Sequence, residues 1–117
     1  MEELVQRLSA AAGIDQETAA KAAGLVFGFL QKEGPADEVN AVFGKLPGAQ
    51  DLIAKAGGGD DGGMGLMGLA GQLTEAGIGM GDMTTVGKEI FAFVREKVGE
   101  DEVGAIVGAI PGLSQFV

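Results

Sequence analysis

Paired carboxylates are the side chains in this sequence whose types and spacing could support acid and base catalysis. Asp37-Glu38 and Asp101-Glu102 recur as matching pairs, and two carboxylates can serve as general acid and general base. Each pair also follows a glycine or a proline at the predicted start of a helix. Acidic residues there stabilise the exposed N–H groups and the positive end of the helix dipole. We therefore interpret both pairs as helix-terminal residues and predict no catalytic residues.

Other catalytic chemistries lack their residue types. The 117 residues include no histidine and no cysteine, which excludes imidazole and thiolate metal sites, Ser-His-Asp and Cys-His nucleophiles, and disulfide bonds. Ser9 and Ser114 lie in no G-x-S-x-G turn. The acidic stretch Gly59-Asp60-Asp61-Gly62 lacks the ordered oxygen ligands of a calcium loop. The sequence predicts a protein that is not an enzyme and that has no cofactor or metal site.

One glycine motif matches a nucleotide-binding pattern by its letters alone. Residues 63–68 read Gly-Met-Gly-Leu-Met-Gly, which fits G-x-G-x-x-G. That motif works when a buried strand leads into the first glycine and a helix N-terminus meets the pyrophosphate. A polar, glycine-rich stretch precedes it here, so we do not predict nucleotide binding.

Net charge and hydropathy limit the classes of partner that we expect for this protein. The formal charge is −9, so a phosphate backbone is repelled and nucleic-acid binding is disfavoured. Val103 to Val117 is the longest uncharged run; it contains Pro111-Gly112 and falls short of the ~18 to 20 residues that cross a bilayer. Met1 to Leu4 is acidic where a secretory signal is basic. We predict no membrane span and a cytoplasmic protein, or an exported one if a signal was removed.

An internal repeat is the most informative feature of the sequence. The differences 91 − 27, 101 − 37 and 111 − 47 all equal 64, and the matches need no gap. Leu4 and Leu8 correspond to Leu69 and Leu73 when a shift of one residue is allowed. Two copies of one helical unit are therefore predicted. The matching segments are Phe27 with Phe91, Asp37-Glu38-Val39 with Asp101-Glu102-Val103, and Pro47-Gly48 with Pro111-Gly112.

The two copies are predicted to form one domain. Residues 57–63 contain glycine and aspartate alone, which favours a flexible linker. We place repeat one at 2–56 and repeat two at 64–117, within a single all-α domain spanning 1–117. The expected architecture is a compact helical bundle built from two tandem units of three to four helices.

Helix boundaries in the first copy follow from capping and periodicity. A short helix with Leu4 and Leu8 is expected to end at Gly13, and Asp15 is expected to cap a second helix that ends at Gly34-Pro35. A third helix carries apolar residues at i, i+3, i+4 and i+7, and a short final turn or helix follows Pro47-Gly48. The apolar positions of the third helix and the final turn are Val39, Val42, Phe43 and Leu46, then Leu52 and Ile53.

The second copy repeats this plan. Its long helix is predicted to start at Asp82, and Phe116-Val117 closes the unit. In both copies small residues at i and i+4 predict close helix packing inside the bundle, at Gly24 with Gly28 and at Gly104 with Gly108.

Phe27 and Phe91 lie away from the main apolar stripe of their helices, yet both copies retain them. One interpretation is that each ring widens the buried face of its own helix in a crowded bundle. The alternative hypothesis is that the two rings meet between the repeats or across a dimer interface. We retain both residues as candidate interface or ligand contacts.

Met64 and Met67 belong to an apolar segment, 64–73, that is rich in glycine and methionine. Small residues let another helix approach closely, and methionine adapts to varied partners. The segment is interpreted as the first helix of the second repeat, with partner binding as the alternative. Both methionines are candidate interface or ligand contacts.

The succession of apolar helix, polar turn, Asp-Glu-Val, apolar helix, Leu-Pro-Gly and apolar pair resembles small helical bacterial families of unknown function. One is the VcgC/VcgE-type family, and another is a related group of two-repeat helical domains whose third helix ends in Leu-Pro. The residues that resemble them are 27–30, 39–53, 91–94 and 103–117. The resemblance implies an all-helical bundle without an established activity. Members of the first family are often exported, whereas this sequence shows no signal.

Two functions from different classes remain open, and an enzyme that uses only carboxylates is a third alternative. The first is a non-enzymatic helical module for protein interaction or self-assembly, in a homo-oligomer or with a protein partner. The second is the binding of an apolar small molecule or lipid in a cavity between the repeats.

Overall fold

Helices account for the regular structure throughout the described residues. The structure, a computed structural model, describes residues 2–56 and 66–110. Over these ranges the chain contains no strand, which confirms the predicted all-α class. The helices are α1 (Glu2–Ala12), α2 (Gln16–Glu33), α3 (Ala36–Gly44), α4 (Ala49–Lys55), α5 (Leu66–Glu75), α6 (Met80–Val98) and α7 (Glu100–Ala109).

The boundaries of α1 and α2 agree with the sequence signals. Gly13 has φ +67°, a left-handed conformation that glycine adopts without a Cβ clash, and it ends α1. Asp15 caps α2 because its Oδ1 accepts a hydrogen bond from the Thr18 N–H at 2.7 Å. At the other end Gly34 donates its N–H to the Leu30 carbonyl, and Pro35 begins the turn into α3.

α2 is the central helix of the bundle. Residues 22–30 are all buried, although the sequence placed apolar residues on one main stripe. The reason is that α1, α3, α4, α5 and α6 all pack against α2. A helix that is apolar on every side is typical of a position at the centre of a core.

α4 packs closely on α2 at Gly24. A Cβ at this glycine would lie 2.0 Å from the Leu52 carbonyl oxygen and 2.7 Å from the Ala56 Cβ. The backbone of the end of α4 therefore occupies the space that any side chain at position 24 would need. The predicted close approach is confirmed at Gly24.

Gly104 and Gly108 do not serve close packing in the described structure. Both are exposed on α7, and a Cβ at either would meet no atom within 4 Å. The prediction of close packing was wrong for this pair because α7 turns Val103 and Ile106 toward the core. Its glycines consequently lie on the opposite side.

Two other boundaries differ from the predictions. α6 begins at Met80, two residues before the predicted Asp82, because the extended Gly79 is the N-cap and its carbonyl accepts from the Asp82 and Met83 N–H groups. Asp82 thus lies in the first turn, where a carboxylate still favours the helix dipole. α3 ends at Gly44, and Leu46 is buried from the turn that follows.

The remaining contacts join helices from the two halves of the sequence. α1 packs on α2 and α6, α5 packs on the same two helices, and α3 packs on α7. The described residues extend over 31 × 29 × 25 Å. None of the described helices combines the length and apolar character that crossing a bilayer requires.

Candidate interaction surface

Met67 on α5 is the large apolar side chain that the described residues leave exposed, with 77% of its surface accessible. It lies in the first turn of a helix whose other side carries Leu69 and Leu73, both 5% exposed. The i, i+4 spacing of Leu69 and Leu73 turns this pair inward against the bundle. Met67 lies away from that pair, so its thioether and methyl groups face solvent.

Gly71 continues this exposed side one turn further along α5. A Cβ at Gly71 would meet no atom within 4 Å, so the fold does not require a glycine there. Together with Thr74, which is also exposed, it leaves a smooth, uncharged strip beside Met67. We call Met67, Gly71 and Thr74 the α5 surface. A partner helix could approach its backbone closely.

The other predicted interface residues are placed differently. Phe27 is fully buried and Phe91 is 2% exposed, so neither ring presents a surface to a second copy in this conformation. Met64 lies outside the described residues. Met67 is thus the candidate that the structure places on the surface.

Phe27 contacts a ring in its own half of the sequence. Its ring packs edge-to-face on Phe43 of α3, with centroids 5.9 Å apart and an interplanar angle of 81°. No ring pair joins Phe27 to Phe91 among the described residues. This placement agrees with the interpretation that each phenylalanine widens the buried side of its helix.

An ion-pair cluster that sequence reasoning missed joins α1 to α6. Arg7 donates to Glu96 at 2.9 Å and to Glu89 at 3.4 Å, and its guanidinium lies 5.8 Å from the centroid of the Phe93 ring. Lys97 lies over the same ring at 5.4 Å. The hydrogen bond to Glu96 raises the pKa of Arg7 above its ordinary value, against a smaller lowering by burial. Arg7 therefore stays charged.

No local signal in the sequence identifies this cluster. Its members lie 82 and 89 positions apart along the chain, and each resembles an ordinary solvated charge on a helix. The packing of α1 on α6 brings them together. The cluster is an attachment between helices and contains no nucleophile.

A cleft of about 990 Å³, lined by both polar and apolar side chains, lies between α1, α2, α4 and the end of α5. Both acidic and basic side chains line it, and all of the charged ones are exposed. The charges are therefore solvated, and the cleft offers no apolar enclosure for a lipid. The charged side chains at its walls are Glu2, Glu17, Asp51, Glu75, Lys21 and Lys55.

Across residues 2–56 and 66–110, no three acidic side chains converge in a group that could hold a metal ion. Asp37-Glu38 and Asp101-Glu102 occupy the first turns of α3 and α7, as predicted for helix-terminal acids.

Comparisons with protein-family models, curated proteins and solved structures gave no match to this chain. The resemblance to the small helical bacterial families therefore stays a prediction.

Proposed function

We propose that this chain is a non-enzymatic helical protein that associates with another protein, or with a second copy of itself, through the α5 surface. The observation that carries the proposal is the 77% exposure of Met67. Burying a methionine side chain in an interface contributes about 1.5 to 3 kcal/mol. The adjacent Gly71 leaves the space that an approaching helix needs.

The two-repeat organisation, with units at 2–56 and 64–117, is part of this proposal. α2 and α3 begin at residues 16 and 36, and α6 and α7 begin at residues 80 and 100, so 80 − 16 and 100 − 36 both equal 64. The packing is also paired: α1 packs on α6 as α5 packs on α2, and α3 packs on its counterpart α7. Both observations support a pseudo-twofold relation between the units.

Alignment of α5 with α1 shows that Met67 occupies a position where α1 has a charged residue. The buried pairs Leu4 with Leu69 and Leu8 with Leu73 are 65 residues apart, which aligns Met67 with Glu2. Glu2 is an exposed carboxylate, as expected for a solvated helix face. Met67, the apolar side chain at the matching position of α5, does not contribute to the core of its own chain. Contact with a partner would account for an apolar residue at this exposed position.

Sedimentation equilibrium of the full chain tests the self-association form of this proposal. Salt should be added to screen the net charge of −9. The wild type should form a concentration-dependent dimer, and Met67→Glu, which introduces the residue of α1, should be monomeric. Ala41→Glu places the same charge on an exposed position of α3 and should behave as the wild type.

A strictly monomeric wild type would contradict self-association and leave a different protein as the partner. A photoreactive residue at position 67 should then crosslink one discrete protein from the native host, and the same residue at position 41 should not. Equal crosslinking at both positions would contradict the proposed surface.

The binding of an apolar ligand between the repeats has less support. α3 and α7 pack on each other, and their inward side chains Val39, Val42, Val103 and Ile106 are each at most 2% exposed. The cleft at α1, α2 and α4 has solvated charged walls. We also propose a cytoplasmic location, with export as the alternative if a signal was removed; the lack of cysteine is compatible with the cytoplasm.

A further inference from the structure

We infer that α5 is a releasable helix: it separates from α2 and α6 more readily than α1 does, and its release uncovers apolar surface of α2. The inference rests on a comparison within one molecule, since α1 and α5 pack on the same two long helices. It does not depend on the α5 surface being a docking site. The two proposals have different tests. The assembly of Met67→Glu tests the docking site, whereas the relative protection of α1 and α5 tests the release of α5.

The two helices differ first in their polar attachment. α1 is held on α6 by Arg7, which bonds Glu89 and Glu96 and lies over Phe93. The residue of α5 that aligns with Arg7 is Gln72, because 72 − 7 equals the 65 that relates the buried leucines. The side-chain hydrogen bond that the described residues show on α5 runs within the helix, from the Thr74 hydroxyl to the Ala70 carbonyl.

The residues of α6 that contact Arg7 also differ from the residues at the matching positions of α2. Glu89, Phe93 and Glu96 on α6 align at an offset of 64 with Leu25, Phe29 and Lys32 on α2. The two carboxylates that hold Arg7 thus correspond to an apolar residue and a cation. The pair of carboxylates that binds the guanidinium of Arg7 on α6 is therefore not present at the matching positions of α2.

α5 is also the weaker helix by itself. Gly68 and Gly71 lie in its interior where α1 has Glu3 and Gln6, and interior glycine disfavours the helical state. Its inward leucines are less completely covered, since Leu69 and Leu73 are 5% exposed and Leu4 and Leu8 are 0% exposed. Ala70 replaces the larger Val5 beside them. Each of these differences lowers the free energy needed to detach α5.

Release of α5 has a defined structural consequence. Residues 22–30 of α2 are buried on all sides, and α5 is one of the helices that cover them. The fold therefore has a closed state in which α2 is enclosed and an open state in which one side of α2 faces solvent. Local opening of this kind is the process that native-state amide hydrogen exchange measures.

Amide exchange of the wild-type full chain is the primary test. After correction for intrinsic rates, amides of α5 should exchange roughly tenfold or more faster than those of α1. Equal protection of the two helices overturns the inference. This measurement needs no substitution, so a failure of any variant to fold does not affect it.

Two variants test the causes of the difference. Arg7→Gln gives α1 the residue that α5 has, and it should raise exchange in α1 toward the rate of α5. Gly71→Gln gives α5 the residue of α1 at an open position, and it should slow exchange in α5. Gly104→Gln makes the same change at an open position of α7 and should leave the ratio of α5 to α1 unchanged. Unchanged ratios in both test variants would contradict the assigned causes.

Thiol labelling gives an independent readout, because the chain has no cysteine of its own. Leu73→Cys places a single buried thiol on α5, and Leu8→Cys places one at the matching position of α1. The thiol at position 73 should react roughly tenfold or more faster in the native protein. Equal labelling rates overturn the inference.

Discussion

The guanidinium of Arg7 lies 2.9 Å from the carboxylate of Glu96, a hydrogen bond that joins α1 to α6 across 89 positions of sequence. Glu89, about two helical turns before Glu96 on α6, accepts a second bond from the same guanidinium at 3.4 Å. The side chains of Arg7, Glu89 and Glu96 are 29%, 34% and 56% exposed. The cluster thus holds two distant helices together while remaining accessible to salt.

Arg7→Gln should lower the free energy of unfolding by about 1 kcal/mol at low salt, since partly exposed ion pairs contribute about 0.2 to 1 kcal/mol each. The loss should shrink as ionic strength rises, because salt screens the pairs in the wild type. Urea unfolding at low and high salt measures both effects. Lys45→Gln removes an exposed cation from the turn after α3 and should change stability little. A salt-independent loss in Arg7→Gln would contradict the ionic origin.

Gly24→Ala should destabilise the protein by about 1 to 3 kcal/mol or more, because the added methyl group would lie 2.0 Å from the Leu52 carbonyl oxygen and would force α4 away from α2. Gly104→Ala is the matched control at an open, exposed position of α7, and it should stabilise by about 0.5 to 1 kcal/mol. Chemical denaturation of both variants measures the opposite signs. Equal effects would show that the close approach of α4 to α2 is absent.

Phe27→Ala should cost about 3 to 5 kcal/mol, because it removes a fully buried ring and its edge-to-face contact with Phe43. Phe27→Leu retains most of the volume and should cost less. If that variant folds, its sedimentation should match that of the wild type, since Phe27 lies inside the core. A change in assembly without a loss of stability would instead support the hypothesis that Phe27 forms an interface.

Asp15→Ala should lower the melting temperature at neutral pH, because α2 loses the carboxylate that accepts the Thr18 N–H. That hydrogen bond lowers the pKa of Asp15 below its ordinary value of 3.8. The stabilisation is therefore complete above the unfolded-state pKa and is lost as the pH falls through the lower, folded-state pKa.

Thermal melts of the wild type and Asp15→Ala across the acid range test this sign. The difference in melting temperature should be constant near neutrality and should decrease below the ordinary pKa of aspartate. Asp15→Asn keeps the capping acceptor without the titration, so its melting temperature should stay closer to that of the wild type near neutrality. A difference that grows with acidity would contradict the capping role.

Local signals in the sequence predicted much of the helix order. The cap at Asp15 and the stop at Gly34-Pro35 depend on residues a few positions apart, so they could be recognised before any tertiary contact was known. The start of α6 was misplaced at Asp82 because an acid serves equally well as a cap or in the first turn. Periodicity also underestimates how much of α2 is buried. It predicts one apolar stripe, whereas residues 22–30 are buried on every side of the helix.

The candidate surface is less well determined by the sequence than the helix order. The composition of segment 64–73 predicts Met67 as an interface or ligand contact, and the structure places this side chain on the surface. Phe27 and Phe91 came from the same kind of reasoning, yet both lie in the core. A pattern shows that a residue is apolar and repeated, but the number of helices packed around it decides whether it is covered.

The sequence by itself determined the all-α class, most helix boundaries and the absence of histidine and cysteine chemistry, because these depend on residue type and on short-range spacing. Only the tertiary structure decided that Gly24 lies against the backbone of α4 while Gly104 faces open space, and that Arg7 attaches α1 to α6. Those outcomes depend on which helices become neighbours. Packing between segments that are far apart in sequence sets that arrangement, and short-range sequence patterns do not specify it.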